Sequence, residues 1–202
     1  MRCFAALLLF LSSSTLLAPN SLPSSRAGES SEAIAQKISI PGVPNAGKVT
    51  EHLYRGAQPG LDNLGELKKL GVTTIIDLRA ESAHTALEEQ SRAEALGMRF
   101  FRVPIGGFST PTNAELIEFF QILRDAPGQT VFIHCEFGRD RTGVMIAAYR
   151  IAFQKWSVDH ALSEMNSFGF NHLWHPAMIT YVRNLPTRIE ADPGLKKSVE
   201  TE

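Results

Sequence analysis

A chain of 202 residues, 44% hydrophobic and 20% charged, suits one globular domain with a real core and is too apolar to be disordered. Its formal charge of −1, without a basic run or stripe, gives no reason to expect nucleic acid as a partner.

Met1-Arg2 is a short positive start, Cys3 to Leu11 (CFAALLLFL) is apolar, and small or polar residues follow, including Ser12-Ser13-Ser14 and Ala18. That is the pattern of a secretory signal peptide over 1–27, and Ser25-Arg26-Ala27 predicts cleavage after Ala27. The apolar run falls short of the ~20 residues that a spanning helix needs, so no stable membrane span is expected; left uncleaved, it would act as an anchor. The expected location is therefore periplasmic or secreted. Cleavage removes Arg2, Arg26 and no acid, which moves the formal charge from −1 to −3. It also removes Cys3. An exported protein with one thiol has no internal disulfide, so Cys135 needs another explanation.

Residues 28–37 are polar and predict a flexible lead-in to a domain over 38–186. Lys48 to Arg55 has period-two character and reads as a strand that ends at the turn Gly56-Ala57-Gln58-Pro59-Gly60. Leu61, Leu64, Leu67 and Leu70 share a helical face that stops at Gly71. Val72 to Leu78 is β-branched and uninterrupted, as a central strand buried on both faces should be. Thr85 to Leu96 predicts an amphipathic helix, Arg99 to Val103 a strand, and Thr112-x-x-Glu115 a capping box before another helix. Thr130 to His134 is the next strand. Thr142 to Phe153 is apolar nearly all round and predicts a core helix. Ser157 caps a helix through Ser167, and Pro176 to Leu185 forms the last one. The tail, 187–202, lacks apolar periodicity. Strands alternating with helices predict an α/β fold, a mostly parallel central sheet flanked by helices.

Between the strand at 130–134 and the core helix lies HCEFGRDRTG, residues 134 to 143. Ligands of open α/β sheets sit at such strand ends, and helix N-termini with glycine-rich turns aim backbone N–H groups at anions. Cys135, Glu136, Phe137, Gly138, Arg139, Asp140 and Arg141 would wrap one tetrahedral oxyanion with their amides, and Arg141 would add a two-pronged donor. The same amides, the helix dipole and Arg141 would favour the thiolate of Cys135. Thr142 would donate its hydroxyl to the sulfur. The loop then binds a phosphoryl group and attacks it.

His134-Cys135-x5-Arg141-Thr142-Gly143 resembles the His-Cys-x5-Arg-Ser/Thr signature of cysteine-dependent protein tyrosine and dual-specificity phosphatases. LYRGAQP, LKKLGVTTIIDLRAE, EALGMRFFRVPI and VFIHCEFGRDRTGVMIAAYR extend the likeness over roughly residues 45–170, toward the bacterial and fungal dual-specificity-like branch. The resemblance implies that fold, a cysteinyl-phosphate intermediate and no metal or other cofactor. It implies Cys135 as nucleophile, Arg141 as phosphate clamp, His134 as a loop-orienting residue and Thr142 as an aid to thiolate departure. Phosphorylated proteins, phosphoinositides and inositol phosphates are the substrates it suggests. One departure is clear: many relatives carry a general-acid aspartate after the strand ending near Val103, and 104–114 here contains no Asp or Glu. Asp140, beside the clamp, is the candidate acid.

Arg79, after a buried strand, is a candidate substrate contact or a salt-bridge brace for the loop, and Glu81 should lie near the same sheet edge. Arg139 adds charge beside the phosphate site. His172, Trp174 and His175 have no carboxylate or cysteine partner at metal-ligand spacing and read as loop packing. Two rival functions remain open on residues alone: a rhodanese-like sulfurtransferase, against which Arg141-Thr142-Gly143 argues, and a catalytically silent phospho-ligand binding module.

Overall fold

The computed structural model describes residues 33–81, 83–125 and 128–200. The expected signal peptide and most of the lead-in lie outside them.

Six strands form one sheet: β1 (Gln36–Lys37), β2 (Gly47–Thr50), β3 (Leu53–Ala57), β4 (Val72–Arg79), β5 (Arg99–Ile105) and β6 (Thr130–Cys135). Their order is β1-β2-β3-β6-β4-β5. The pairs β3–β6, β6–β4 and β4–β5 are parallel, and β1–β2 and β2–β3 antiparallel, so the sheet is mostly parallel as its β/α alternation predicts. Among the described residues the helices are α1 (Leu64–Lys69), α2 (Ala83–Ala95), α3 (Asn113–Arg124), α4 (Asp140–Gln154), α5 (Val158–Ser167), α6 (Pro176–Ala191) and α7 (Pro193–Val199).

Successive strand residues point to opposite faces, and both faces are covered. Ile75 and Phe132 pack with Leu64, Leu67 and Ala93 on the side of α1 and α2. Ile76, Leu78 and Ile133 pack with residues of α3 to α7 on the other. The Thr112–Glu115 capping box is present at α3, and Ser157 caps α5 by accepting from the N–H of His160. No helix among the described residues is long and apolar enough to cross a membrane.

Three expectations change. Lys48 to Arg55 is a hairpin rather than one strand, because the chain reverses at Glu51-His52, residues with no special turn chemistry. The lead-in ends before residue 35: the Ala35 N–H donates to Glu164 at 2.9 Å, and Gln36–Lys37 joins the sheet edge. Glu164 is itself buried against Arg150 at 2.7 Å, which gives the incoming chain a fixed anchor. The residues after 186 are also not a tail. α6 runs through Pro186 to Ala191, and Asp192 caps α7 by accepting from the Leu195 N–H. Ile189 and Leu195 are buried, and at roughly 1.5–3 kcal/mol for each such side chain they offset the ~3 kcal/mol cost of a proline inside a helix.

Candidate active site

β6 ends at Cys135 and α4 begins at Asp140, two residues earlier than its apolar stretch. Polar residues of the loop thus form the first turn of a buried fifteen-residue helix, whose leading N–H groups have no intrahelical acceptors. A cavity of about 390 Å³ opens there, lined by Cys135, Glu136, Phe137, Arg139, Asp140 and Arg141 of the loop. Glu81, Gly107, Phe108, Trp174 and His175 complete the wall.

The two-residue period of β6 separates the functions of adjacent residues. Cys135, only 2% exposed, faces α4 and the cavity. His134 faces the other way, stacked near Phe132 and 2.9 Å from Glu89 Oε1, though off the line a hydrogen bond requires. Its Nδ1 lies 3.4 Å from the Cys135 carbonyl oxygen.

Arg79 is not a cavity residue. β4 pairs Asp77 with His134, so Arg79, two residues on, shares the His134 face and is turned away from Cys135. Its Nε and Nη2 donate to the two Asp77 oxygens at 2.8 and 3.0 Å, and Nη2 also donates to Glu89 at 2.7 Å. This corrects the candidate substrate contact and leaves the salt-bridge brace. Burial pushes the Asp77 carboxyl up, but the Arg79 hydrogen bonds and the neighbouring His134 bring it below its ordinary 3.8.

Arg141 is held at the cavity wall by a two-pronged contact with Glu81, at 2.9 and 2.7 Å, and by the Ile105 carbonyl at 3.2 Å. Burial works against its charge, yet the Glu81 hydrogen bond and the proximity of Cys135 raise its pKa above the usual arginine value. In return Arg141 holds the Glu81 carboxyl below its usual range. Thr142 is fully buried, and its Oγ1 has no hydrogen-bond partner, so the expected bond to sulfur is not formed.

Gly138 lies at φ +66°, and a Cβ there would sit 2.4 Å from the Gly56 backbone, so the loop can seat on β3 only through glycine. Its carbonyl accepts from Asn45 Nδ2 and from Arg55 Nη2, both at 3.0 Å. Arg55 is fully buried over the Phe168 ring. Burial lowers its pKa to about 10, opposed by Glu164 and Cys135. Sequence reasoning passed over Asn45, Arg55 and Glu89. Glu89 carried a signal, since it shares the buried stripe of Ala86 and Ala93 on α2. Trp174 and His175 prove to be cavity walls, whereas His172 lies away from the cavity. Among the described residues no three His, Cys, Asp or Glu gather where a metal could bind.

Residues 43–177 match the family described as DSP-PTPase phosphatase fused to NAD+ kinase. The chain belongs to the DSP-PTPase phosphatase family. It is 30% identical over 136 residues to the dual specificity protein phosphatase TpbA of Pseudomonas aeruginosa, covering 62% of this chain and 55% of that one. An inositol diphosphatase of Oryza sativa subsp. japonica is 27% identical over 129 residues, or 62% of this chain and 57% of its own. The chain thus spans little more than half the length of these two relatives. The crystal structure of P. aeruginosa TpbA superposes with a TM-score of 0.65 at 27% identity, covering 83% of this chain and 96% of that one. The catalytic core of the PP-IP phosphatase SIW14 from S. cerevisiae, 22% identical, shares the fold with a TM-score of 0.62 over 78% of this chain and 97% of that one.

Proposed function

We propose that this protein hydrolyses phosphate monoesters through a cysteinyl-phosphate intermediate. The observation that carries the reading is Cys135 and Arg141 on the wall of one cavity, at the N-terminal turn of buried α4. The Cys135 sulfur attacks phosphorus and the S–P bond forms as the bond to the leaving oxygen breaks. Arg141 and the first-turn amides of α4 meet the charge on the phosphoryl oxygens. Water then attacks the phosphocysteine and releases phosphate and thiolate. Asp140 lines the cavity beside the clamp and belongs to the leaving-group side of the reaction. Glu136, Phe137, Gly138 and Arg139 shape the substrate side, Gly138 by fixing the loop.

The cavity wall carries two cations, Arg139 and Arg141, against three carboxylates, Glu81, Glu136 and Asp140, with Phe108, Phe137 and Trp174 around them. That lining suits one phosphate on an aromatic or apolar body better than a densely phosphorylated ring, and so favours phosphotyrosine. Inositol phosphates form the second reading, supported by the inositol diphosphatase and PP-IP phosphatase among the relatives. A panel of phosphotyrosine, phosphoserine and phosphothreonine peptides, phosphoinositides and inositol polyphosphates tests both. Acid-quenched turnover should leave phosphate on Cys135. Failure to hydrolyse any of them, with ligand still bound, would make this a silent binding module. Export is a separate proposal, from Arg2, the apolar Cys3–Leu11 run and Ser25-Arg26-Ala27; mass spectrometry of the protein from its native host should find Gly28 as the first residue, and an intact Met1 would refute it.

A further inference from the structure

We propose that His175 is a further catalytic residue, sharing with Asp140 the proton that goes to the leaving oxygen. The inference rests on the phosphatase reading of the cavity and names a group that neither the loop signature nor its spacing contains.

Asp140 is held as an acceptor. Its Oδ1 receives the Asn171 N–H at 3.0 Å, and its Oδ2 faces His175 Nε2 at 3.7 Å. Both side chains line the cavity that holds Cys135. The segment that delivers His175 is folded around Asn171, whose side-chain oxygen accepts from the N–H groups of Leu173 and Trp174, while its carbonyl accepts from the His175 N–H. One residue, Asn171, therefore ties the imidazole and the carboxyl into a single arrangement. The His175 ring is nearly buried, 5.1 Å from the Phe108 ring and 6.2 Å from that of Phe170. Its Nδ1 has no hydrogen-bond partner, which leaves Nε2 as the nitrogen that deals with Asp140 and the cavity.

The stretch 104–114 lacks a carboxylic acid but supplies Phe108, which packs on the imidazole and positions it. In the first step the leaving oxygen takes the proton from His175 Nε2, which lies 3.7 Å from Asp140 Oδ2, as its bond to phosphorus breaks. In the second, the attacking water gives its proton back to the pair as the S–P bond breaks. Each turnover returns the pair to its starting state. An imidazole nitrogen can give a proton to an oxygen and take one from it, and the Asp140 carboxylate faces that nitrogen.

The test compares an alkyl phosphate, whose leaving oxygen needs a proton, with para-nitrophenyl phosphate, whose leaving group needs little. His175→Phe keeps a ring between Phe108 and Phe170 and carries no proton; His175→Asn removes the ring. Both variants should lose about 10²–10⁴-fold on the alkyl ester, the usual worth of general acid catalysis, with a far smaller loss on the activated ester. Asp140→Asn should show the same pattern, and the double variant should be no slower than either single one, because the two act as a unit. Equal losses on both esters, or alkyl turnover at the parental rate in His175→Phe, would overturn the proposal. The phosphatase reading fails on a different result: para-nitrophenyl phosphate hydrolysis that persists in Cys135→Ser.

Discussion

At the carboxyl ends of β4 and β6 the sheet carries two sets of charged residues back to back. Toward α2, Asp77, Arg79, Glu89 and His134 are almost without exposure and lie against one another. Toward α4, Glu81, Glu136, Arg139, Asp140, Arg141 and His175 surround an open cavity with Cys135. Similar residue types do opposite work. A charge sealed from water is tolerable only with its partner in place, so the rear set is a brace. A charge on a cavity wall can exchange its partner for a ligand, so the front set can react. Arg79 and Arg141 show the difference most clearly: both grip carboxylates through two nitrogens, but only Arg141 grips one that is itself 41% exposed.

If that division holds, front variants should lose activity and keep stability, and rear variants the reverse. The largest effect belongs to Cys135→Ser, which should abolish turnover of every substrate while retaining phosphate-ester binding and the melting temperature; steady-state assays and calorimetry check both. Arg79→Met should remove the cation that Asp77 and Glu89 share, leaving Asp77 only the more distant Arg102 at 3.8 Å. It should cost about 3–5 kcal/mol in urea unfolding, as for other broken buried pairs, yet spare most of the activity per folded molecule. A variant that unfolds no more easily but loses turnover would place Arg79 back in the chemistry. Asn45, itself at φ 51°, donates from Nδ2 to the Gly138 carbonyl and so holds the loop from outside the cavity. Asn45→Gly suits that backbone and removes the Nδ2 hydrogen bonds to the Gly138 and Phe168 carbonyls; the one to the loop is worth ~1 kcal/mol, so orthovanadate should bind roughly fivefold more weakly.

A smaller effect concerns acid. Asp77 has a folded pKa below its unfolded one. Its contribution to stability is therefore complete above the ordinary carboxylate range and is lost as pH falls through that range and below it. Asp77→Asn should flatten the fall in melting temperature on acidification while lowering the neutral-pH value. The smallest effect expected is none: EDTA should leave turnover unchanged, and loss restored by a divalent ion would break the metal-free reading.

Much of this protein was determined by local sequence. Hydrophobic periods of two and 3.6, the Thr112–Glu115 box and glycine-terminated helices marked most elements. The Cys135–Arg141 spacing marked the phosphate loop, because a strand, a turn and a helix N-terminus are contiguous in the chain. What local pattern could not decide was direction and company. Whether Arg79 faces the cavity depends on its register with His134 across β4 and β6, a pairing between segments more than fifty residues apart. Pro186 looked like a helix end because its local cost is plain, whereas the burial of Ile189 and Leu195 that offsets it exists only once α6 and α7 have docked. His175 read as packing because its partner, Asp140, is 35 positions away in the chain and meets it only through the folded Asn171 segment. Secondary structure follows from interactions within a turn or two of the chain, but the charge that a side chain meets is set by which segments the tertiary fold brings together.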